Sequence, residues 1–223
     1  SAGYLGSKGK KFTEKLPQQR KLTDERVSLL KKHLSSVVNP FTQIASEKVN
    51  FSKLSSMRSS VDSQSVNTKS AVGYYTALNK SILDTITEFS TLSKDHEIRN
   101  MLNSLVLFIS AKERAGIERA ILSATFARDE FNAFLNSKFL SVMAQQNALF
   151  NLFEHSANEK FKQSYLKITS DSSFAEVQRM RDIALSKTKG FDTDPAYWFK
   201  TITQKINQLK KMEDIITGSV KVM

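Results

Sequence analysis

The sequence predicts an all-α protein, and its turn residues and hydrophobic spacing carry that prediction. The 223 residues include only 7 Gly and 3 Pro, too few for the closely spaced turns of a β-sandwich or barrel. Apolar residues recur at three- and four-residue steps through long segments, as one face of a helix requires. Helices of about 20–32 residues with short loops pack as up-down bundles. Because seven or eight such helices exceed one bundle, we expect two stacked up-down four-helix bundles that share long central helices.

The first half of the chain contains three predicted helices. The spacing of apolar residues predicts helices over residues 18–38, 41–61 and 68–92. Asn39 and Pro40 separate the first two, because proline cannot continue a helix. A loop over residues 61–67 precedes the third.

The second half contains the longest predicted helices. One covers residues 95–126, about 32 residues or roughly 48 Å, and another covers residues 129–155. Ser173 and Glu176 have capping-box spacing before an apolar run. Asp194 and Pro195 supply an N-cap and a first-turn proline for a last helix. The near-3.5-residue seam of that helix predicts that it continues as a coiled coil or enters a membrane.

Composition argues against catalysis and against a metal or organic cofactor. The chain has no Cys, and His33, His96 and His155 lie on separate segments without metal-ligand spacing. It also lacks a Gly-rich phosphate loop and a G-x-S-x-G turn. No apolar run approaches the ~18 residues that span a bilayer. The sequence therefore predicts a binding module, not an enzyme.

The net charge of +11 is spread along the chain. Nucleic acid, an anionic membrane surface and a small anion are the partners that such a charge favours, and a solvated lysine surface is the plainer alternative. Blocks of five or six like charges are absent from the sequence.

Charged residues fall on the expected inward face of the helix over residues 95–126. Apolar residues define that face at Ile98, Met101, Leu102, Leu105 and Ile109. Continued at 100° per residue, it reaches Lys112, Gly116, Arg119 and Ser123. A buried cation costs several kcal/mol unless an anion meets it, so either an internal salt bridge or a bound anion is expected here. Gly116 would let a backbone or ligand approach closely.

Three further charged features are less distinctive. Arg114 and Glu118 fall on the opposite side of the same helix, four residues apart, and could pair there. Arg181 falls among the apolar residues of the helix near Ser173. A long Arg stem along apolar surface with its head in water is the alternative reading of Arg181. Lys205 in the last helix reads as a solvated charge.

Four blocks of sequence, in order along the chain, resemble one family. They are Ser1 to Gly9, Tyr75 to Asn79, the Lys-Glu-x-x-Gly-x-Glu-Arg-Ala run from Lys112 to Ala120, and Trp198-Phe199 with the helix after it. Together they resemble the nitrate- and nitrite-sensing (NIT) domain. The resemblance implies a helical sensor of two stacked bundles that holds nitrate or nitrite by arginines between helices. It maps one family arginine onto Arg119 and a later one onto Arg181.

The expected ligand-binding residues are therefore Arg119, Lys112, Gly116 and Arg181. We expect residues 1–223 to form a single sensor domain, a piece of a larger bacterial membrane receptor similar to methyl-accepting chemotaxis proteins. The domain would lie in the periplasm or outside the cell, form a homodimer, bind a small inorganic anion and have no nucleic-acid partner. A ligand-free helical module for dimerisation and signal transmission is the alternative, and nucleic-acid binding by the basic surface is a more distant one.

Overall fold

The computed structural model describes residues 1–10 and 12–221, with the side chains of Ala2, Val220 and Lys221 excepted. Over these residues the chain forms ten helices, and its extended pairing consists of an isolated antiparallel bridge between Glu130 and Lys189. The all-α prediction is confirmed. The helices are α1 (Ala2–Gly6), α2 (Lys15–Ser36), α3 (Pro40–Lys48), α4 (Leu54–Asp62), α5 (Thr68–Leu92), α6 (His96–Arg128), α7 (Ala133–Ser156), α8 (Glu159–Thr169), α9 (Ser172–Ser186) and α10 (Pro195–Lys221).

The chain divides into two compact units, Ser1–Phe89 and Ser90–Met223. Helices α6 and α7 both lie within the second unit. The arrangement of two stacked bundles that share long helices stays a prediction from the sequence. None of the helices formed by the described residues is long and apolar enough to cross a membrane.

The first unit has a thin apolar interior. Along α2 no residue is fully buried, and ion pairs of Arg20 with Asp62 and of Arg58 with Asp24 connect α2 with α4. The unit's buried apolar side chains are small or few, namely Ala45, Leu54, Val61 and Ala71 among the described residues. This unit therefore depends more on polar contacts than the second unit does.

The predicted helix over residues 41–61 is two helices. Helix α3 begins with a capping box, in which Asn39 Oδ1 accepts from the Thr42 amide at 2.9 Å. It ends at Lys48, and the C-cap residue Val49 is extended. The Asn50 side chain then accepts a hydrogen bond from the Ser52 amide at 2.8 Å. This local turn competes with helix formation and separates α3 from α4.

The second unit contains a helical bundle with two apolar clusters along its length. Helices α6, α7 and α10 run past both clusters, and α8 and α9 each cover one of them. The first cluster centres on Phe108, whose ring contacts Phe150, Phe153 and Tyr165 edge to face. The second centres on Trp198 and Phe126, with ring centroids 5.7 Å apart.

The caps of the second unit explain where its helices begin. Asp95, Asn158 and Asp194 each accept hydrogen bonds from the first-turn amides of the following helix. Helix α8 was not predicted. Helix α9 is capped by Asp171 and not by the expected box of Ser173 and Glu176, because Asp171 Oδ1 accepts from the Ser173 amide at 2.9 Å.

Candidate anion-binding site

The inward face of α6 lies about one residue away from the predicted face. Small and apolar side chains mark it in this part of the helix, together with one carboxylate: Phe108, Ala111, Ala115, Glu118, Leu122 and Thr125. Lys112, Gly116, Arg119 and Ser123 are half-buried beside it. The difference arises because Leu102 and Ile109 of the predicted face are only half-buried, whereas Ser104 and Phe108 are buried, on a helix that is apolar on several sides.

Arg119 lies half-buried between α6 and α10. Its Nη1 donates a hydrogen bond to Thr203 Oγ1 at 3.0 Å, and its guanidinium carbon lies 4.9 Å from the centroid of the Phe199 ring. Trp198 Nε1 donates to the Arg119 carbonyl at 3.1 Å, which fixes the backbone at this position. Burial lowers the pKa of Arg119. In the described part of the chain the guanidinium forms no ion pair with a carboxylate.

Ser123 follows Arg119 by one helical turn on the same face of α6. Its hydroxyl oxygen is buried, and the described residues give it no hydrogen-bond partner. A guanidinium has five N–H donors in a planar fork, of which the described side chains engage one on Arg119. A half-buried guanidinium and a buried hydroxyl without a partner among the described residues therefore lie one turn apart on α6, a combination of donors that suits a small planar anion.

Lys112 and Gly116 lie on the same face of α6 as Arg119, but their surroundings differ from those expected of a ligand site. The Lys112 ammonium pairs with the Glu213 carboxylate of α10, and both side chains are largely buried. A Cβ added at Gly116 would meet nothing within 4 Å. The expected close approach of a backbone at Gly116 is therefore wrong.

Arg181 is paired internally. Its Nε and Nη2 donate to Oε1 and Oε2 of Glu118 at 2.6 and 2.7 Å. The proposed pair of Glu118 with Arg114 is wrong, because Arg114 Nε donates to Gln145 Oε1 instead. The head group of Arg181 is not in water either. An internal salt bridge, one of the two readings considered for the cations of α6, is found for Lys112, which pairs with Glu213.

Gln146 and Lys205 complete a set of four polar side chains that we call the polar layer: Glu118, Gln146, Arg181 and Lys205. Their exposed fractions are 0%, 1%, 5% and 4%. Lys205 Nζ donates to Gln146 Oε1 at 3.2 Å. The reading of Lys205 as a solvated charge is wrong. Its position three residues after Ile202 and four before Leu209, both fully buried, was the available signal.

Two surface grooves of the second unit do not include Arg119. One is lined by residues of α9 and α10, among them Arg179, Tyr197 and Lys200. The other lies near Met101, Phe161 and the end of α10. The Arg119 seam is thus a direct contact between α6 and α10.

Known proteins similar to the chain include two regulators. A nitrate regulatory protein of Klebsiella oxytoca is 24% identical over 166 residues, which are 74% of this chain and 41% of that protein. The structure of the NasR transcription antiterminator matches with a TM-score of 0.84 and 20% identity, over 98% of this chain and 61% of the other. The chain spans less than two thirds of either relative, and the structural match shows a shared fold.

These relatives correct the expected role. The prediction of a chemoreceptor-like sensor in a membrane-embedded parent is wrong, because the relatives are a nitrate regulatory protein and a transcription antiterminator. The placement in the periplasm or outside the cell is wrong on the same grounds. The exclusion of nucleic acid from the partners is also wrong, because one of the two similar proteins is a transcription antiterminator.

The resemblance read from the four sequence blocks is confirmed over nearly the whole chain. The family model described as nitrate and nitrite sensing matches residues 1–221. This chain belongs to the NIT family of nitrate- and nitrite-sensing domains.

Proposed function

We propose that the chain is the ligand-sensing part of a nitrate-responsive regulator, and that nitrate or nitrite binds on the seam between α6 and α10 at Arg119. One observation carries this proposal: the Arg119 guanidinium is half-buried without a carboxylate partner in the described part of the chain. The control of transcription is the output that the names of the relatives support. The stacking of the two units as bundles stays a prediction from the sequence.

The seam offers the chemistry that such an anion needs. Nitrate is planar, with three oxygens that share one negative charge, and a guanidinium can donate two parallel hydrogen bonds to it. Ser123 supplies a buried hydroxyl one turn along the helix. Thr203 already accepts from Arg119, so an incoming anion would compete with that hydroxyl for the guanidinium. Lys112 and Arg181 are engaged with Glu213 and Glu118, and we assign them supporting roles in the electrostatics of the bundle.

Competition with Thr203 gives a physical route to signalling. Arg119 lies on α6 and Thr203 on α10, so replacing their hydrogen bond changes how these two helices prefer to pack. A tenfold difference in anion affinity between two packings shifts their equilibrium by about 1.4 kcal/mol.

Calorimetric titration with nitrate and nitrite, with chloride as the comparison anion, tests the proposal. We expect Arg119→Ala to weaken nitrate binding at least about tenfold, since a charge-assisted hydrogen bond contributes more than about 1.4 kcal/mol. Arg119→Lys keeps the charge without the planar fork and should give an intermediate affinity. Arg128→Ala is the matched control, because Arg128 lies on the same helix and is exposed.

Two results would overturn the proposal. Absence of heat or thermal stabilisation with nitrate and nitrite would leave the ligand-free transmission module as the better account. Binding that survives Arg119→Ala unchanged would place the anion elsewhere in the chain.

A further inference from the structure

The polar layer takes one side chain from each of four helices in the second unit. Glu118 comes from α6, Gln146 from α7, Arg181 from α9 and Lys205 from α10. Along α6 the layer lies between Ala115 of the first apolar cluster and Ile121 of the second. Side chains of four separate elements thus meet at one level of an otherwise apolar bundle.

The charges of the polar layer balance when Lys205 is neutral. Arg181 and Glu118 cancel each other through their bidentate pair. A charged Lys205 would therefore add one uncompensated positive charge to an apolar interior. Such a charge is costly unless water or an anion reaches it.

The hydrogen bonding of Lys205 points in the same direction. An ammonium has three N–H donors, and among the described side chains Nζ has one acceptor, Gln146 Oε1. That oxygen also accepts from Arg181 Nη2 at 2.7 Å. The Phe174 ring lies 5.4 Å from Nζ and offers a weak cation–π contact. These contacts solvate an ammonium poorly and are adequate for a neutral amine.

The groups facing Lys205 act on its titration in opposite senses. Glu118 of α6 raises the pKa of Lys205, Arg181 of α9 lowers it, and Gln146 of α7 is neutral. Burial has the largest effect, and together these lower the pKa of Lys205 to about 7. The amine therefore changes charge in the range in which a cell operates.

We infer that Lys205 makes the second unit a proton-sensitive conformational switch. With a neutral Lys205 the polar layer is closed and the four helices pack tightly at this level. With a charged Lys205, α10 loosens around residues 202–209, so that the ammonium reaches water or a small anion. Thr203, which accepts the hydrogen bond of Arg119, lies within this stretch. The inference rests on the geometry of the polar layer and holds whether or not Arg119 binds nitrate.

The pH dependence of unfolding tests this switch. The unfolded chain binds a proton at Lys205 up to its ordinary pKa of 10.5, whereas the folded chain loses it near 7. The unfolding constant therefore falls by about tenfold per pH unit between pH 7.5 and 9.5 relative to a chain without the group. We measure urea unfolding of the 223-residue chain and of Lys205→Met and Lys205→Gln across this range. Both variants remove the charge, and Gln keeps a donor for Gln146.

Lys211→Met is the matched control, since Lys211 is an exposed lysine of the same helix. We expect this control to keep the pH dependence of the free energy of unfolding of the parent chain. In Lys205→Met and Lys205→Gln the slope should be smaller by the contribution of one proton. If a Lys205 variant keeps the full slope, the inference is overturned.

Amide hydrogen exchange separates a local switch from a lysine that is exposed only in global unfolding, because in a switch the amides of residues 202–209 open more often than the whole chain unfolds. After correction for the intrinsic pH dependence of exchange, opening of residues 202–209 in the parent chain should be about tenfold more frequent at pH 7.5 than at pH 8.5. The same amides should open equally often at both pH values in Lys205→Gln. Equal opening at both pH values in the parent chain would show that charging Lys205 does not loosen α10, and would overturn the switch.

Discussion

Glu118 and Arg181 are buried together, so removal of one charge leaves the other without its partner. Glu118→Gln leaves the Arg181 guanidinium uncompensated, and we expect it to lower the free energy of unfolding by about 3–5 kcal/mol. Replacing both residues by apolar ones, as in Glu118→Leu with Arg181→Met, should recover most of that loss because neither member of the pair is left as an unpaired buried charge. Urea unfolding of the single and double variants measures both effects.

Arg179→Ala is the control for this comparison. Arg179 is an exposed arginine of the same helix as Arg181 and pairs with Glu176 on the surface. Its removal should leave the unfolding midpoint nearly unchanged. A Glu118→Gln variant that unfolds at the urea concentration of the parent chain would contradict the assignment of a buried pair.

Single residues also show where sequence reasoning loses precision. Arg119 was identified from its position in the helical pattern and from the family resemblance, and the structure places it half-buried as a cation without a carboxylate in the described part of the chain. Glu118, its neighbour, was placed on the opposite side of the helix as a partner of Arg114, although it is fully buried. On a helix that is apolar on several sides, a shift of one residue rotates every assignment by 100°. Only the partner helices decide which face is inside.

At the scale of elements, Asp171 ties the start of α9 to α10. It caps α9 through the Ser173 amide and hydroxyl, and it accepts hydrogen bonds from Gln204 and Gln208 of α10 at 3.2 and 2.8 Å. The hydrogen bonds from Ser173, and then those from Gln204 and Gln208, hold the pKa of Asp171 below its usual value. The carboxylate form is thus favoured in the folded chain.

We expect Asp171→Ala to lower the free energy of unfolding by about 1 kcal/mol at pH 7, the usual cost of a lost N-cap. Because the folded pKa is lowered, this stabilisation is complete above the unfolded pKa of about 3.9 and is lost as the pH falls through the folded value. The difference between parent and variant should therefore shrink towards pH 2–3. Urea unfolding midpoints of the parent chain and the variant, at pH 7 and at the low pH, measure this difference. Asp182→Ala, an exposed acid of α9, should show neither effect.

The elements that were predicted well have strong local signals at both ends. Helix α5 matches its predicted bounds of residues 68–92, and α10 begins at Pro195 after its Asp194 cap, as predicted. Helix α8 was missed because it has only 11 residues, too few for a periodic pattern to stand out. The break between α3 and α4 depends on one asparagine side chain, which a hydrophobic pattern does not record.

At the scale of the whole molecule, the sensing role was predictable and the output was not. The spaced blocks resemble those of the nitrate- and nitrite-sensing domain, and the family model confirms that family. The output depends on sequence attached to such a domain, because function resides in particular sites and not in the fold. The residues of this chain therefore could not distinguish a receptor from a regulator of transcription.

The two units should differ in stability, because their apolar interiors differ in size. The second unit buries aromatic rings and large aliphatic side chains in two clusters, whereas the described part of the first unit buries Leu54 and Val61 and two alanines. A helical unit of this size, residues 90–223, buries enough apolar surface to fold by itself. We expect a polypeptide of residues 90–223 to be helical by circular dichroism and to unfold cooperatively in urea.

Residues 1–89 are the matched comparison and should unfold at a lower urea concentration, or be only partly helical. In the full chain, hydrogen exchange should then protect amides of α6, α7 and α10 more strongly than those of α2. These two measurements are independent, because one removes the other unit and the second leaves the chain intact. A polypeptide of residues 90–223 without helical structure, or equal protection of α2 and α6, would mean that the stability of the second unit depends on the first.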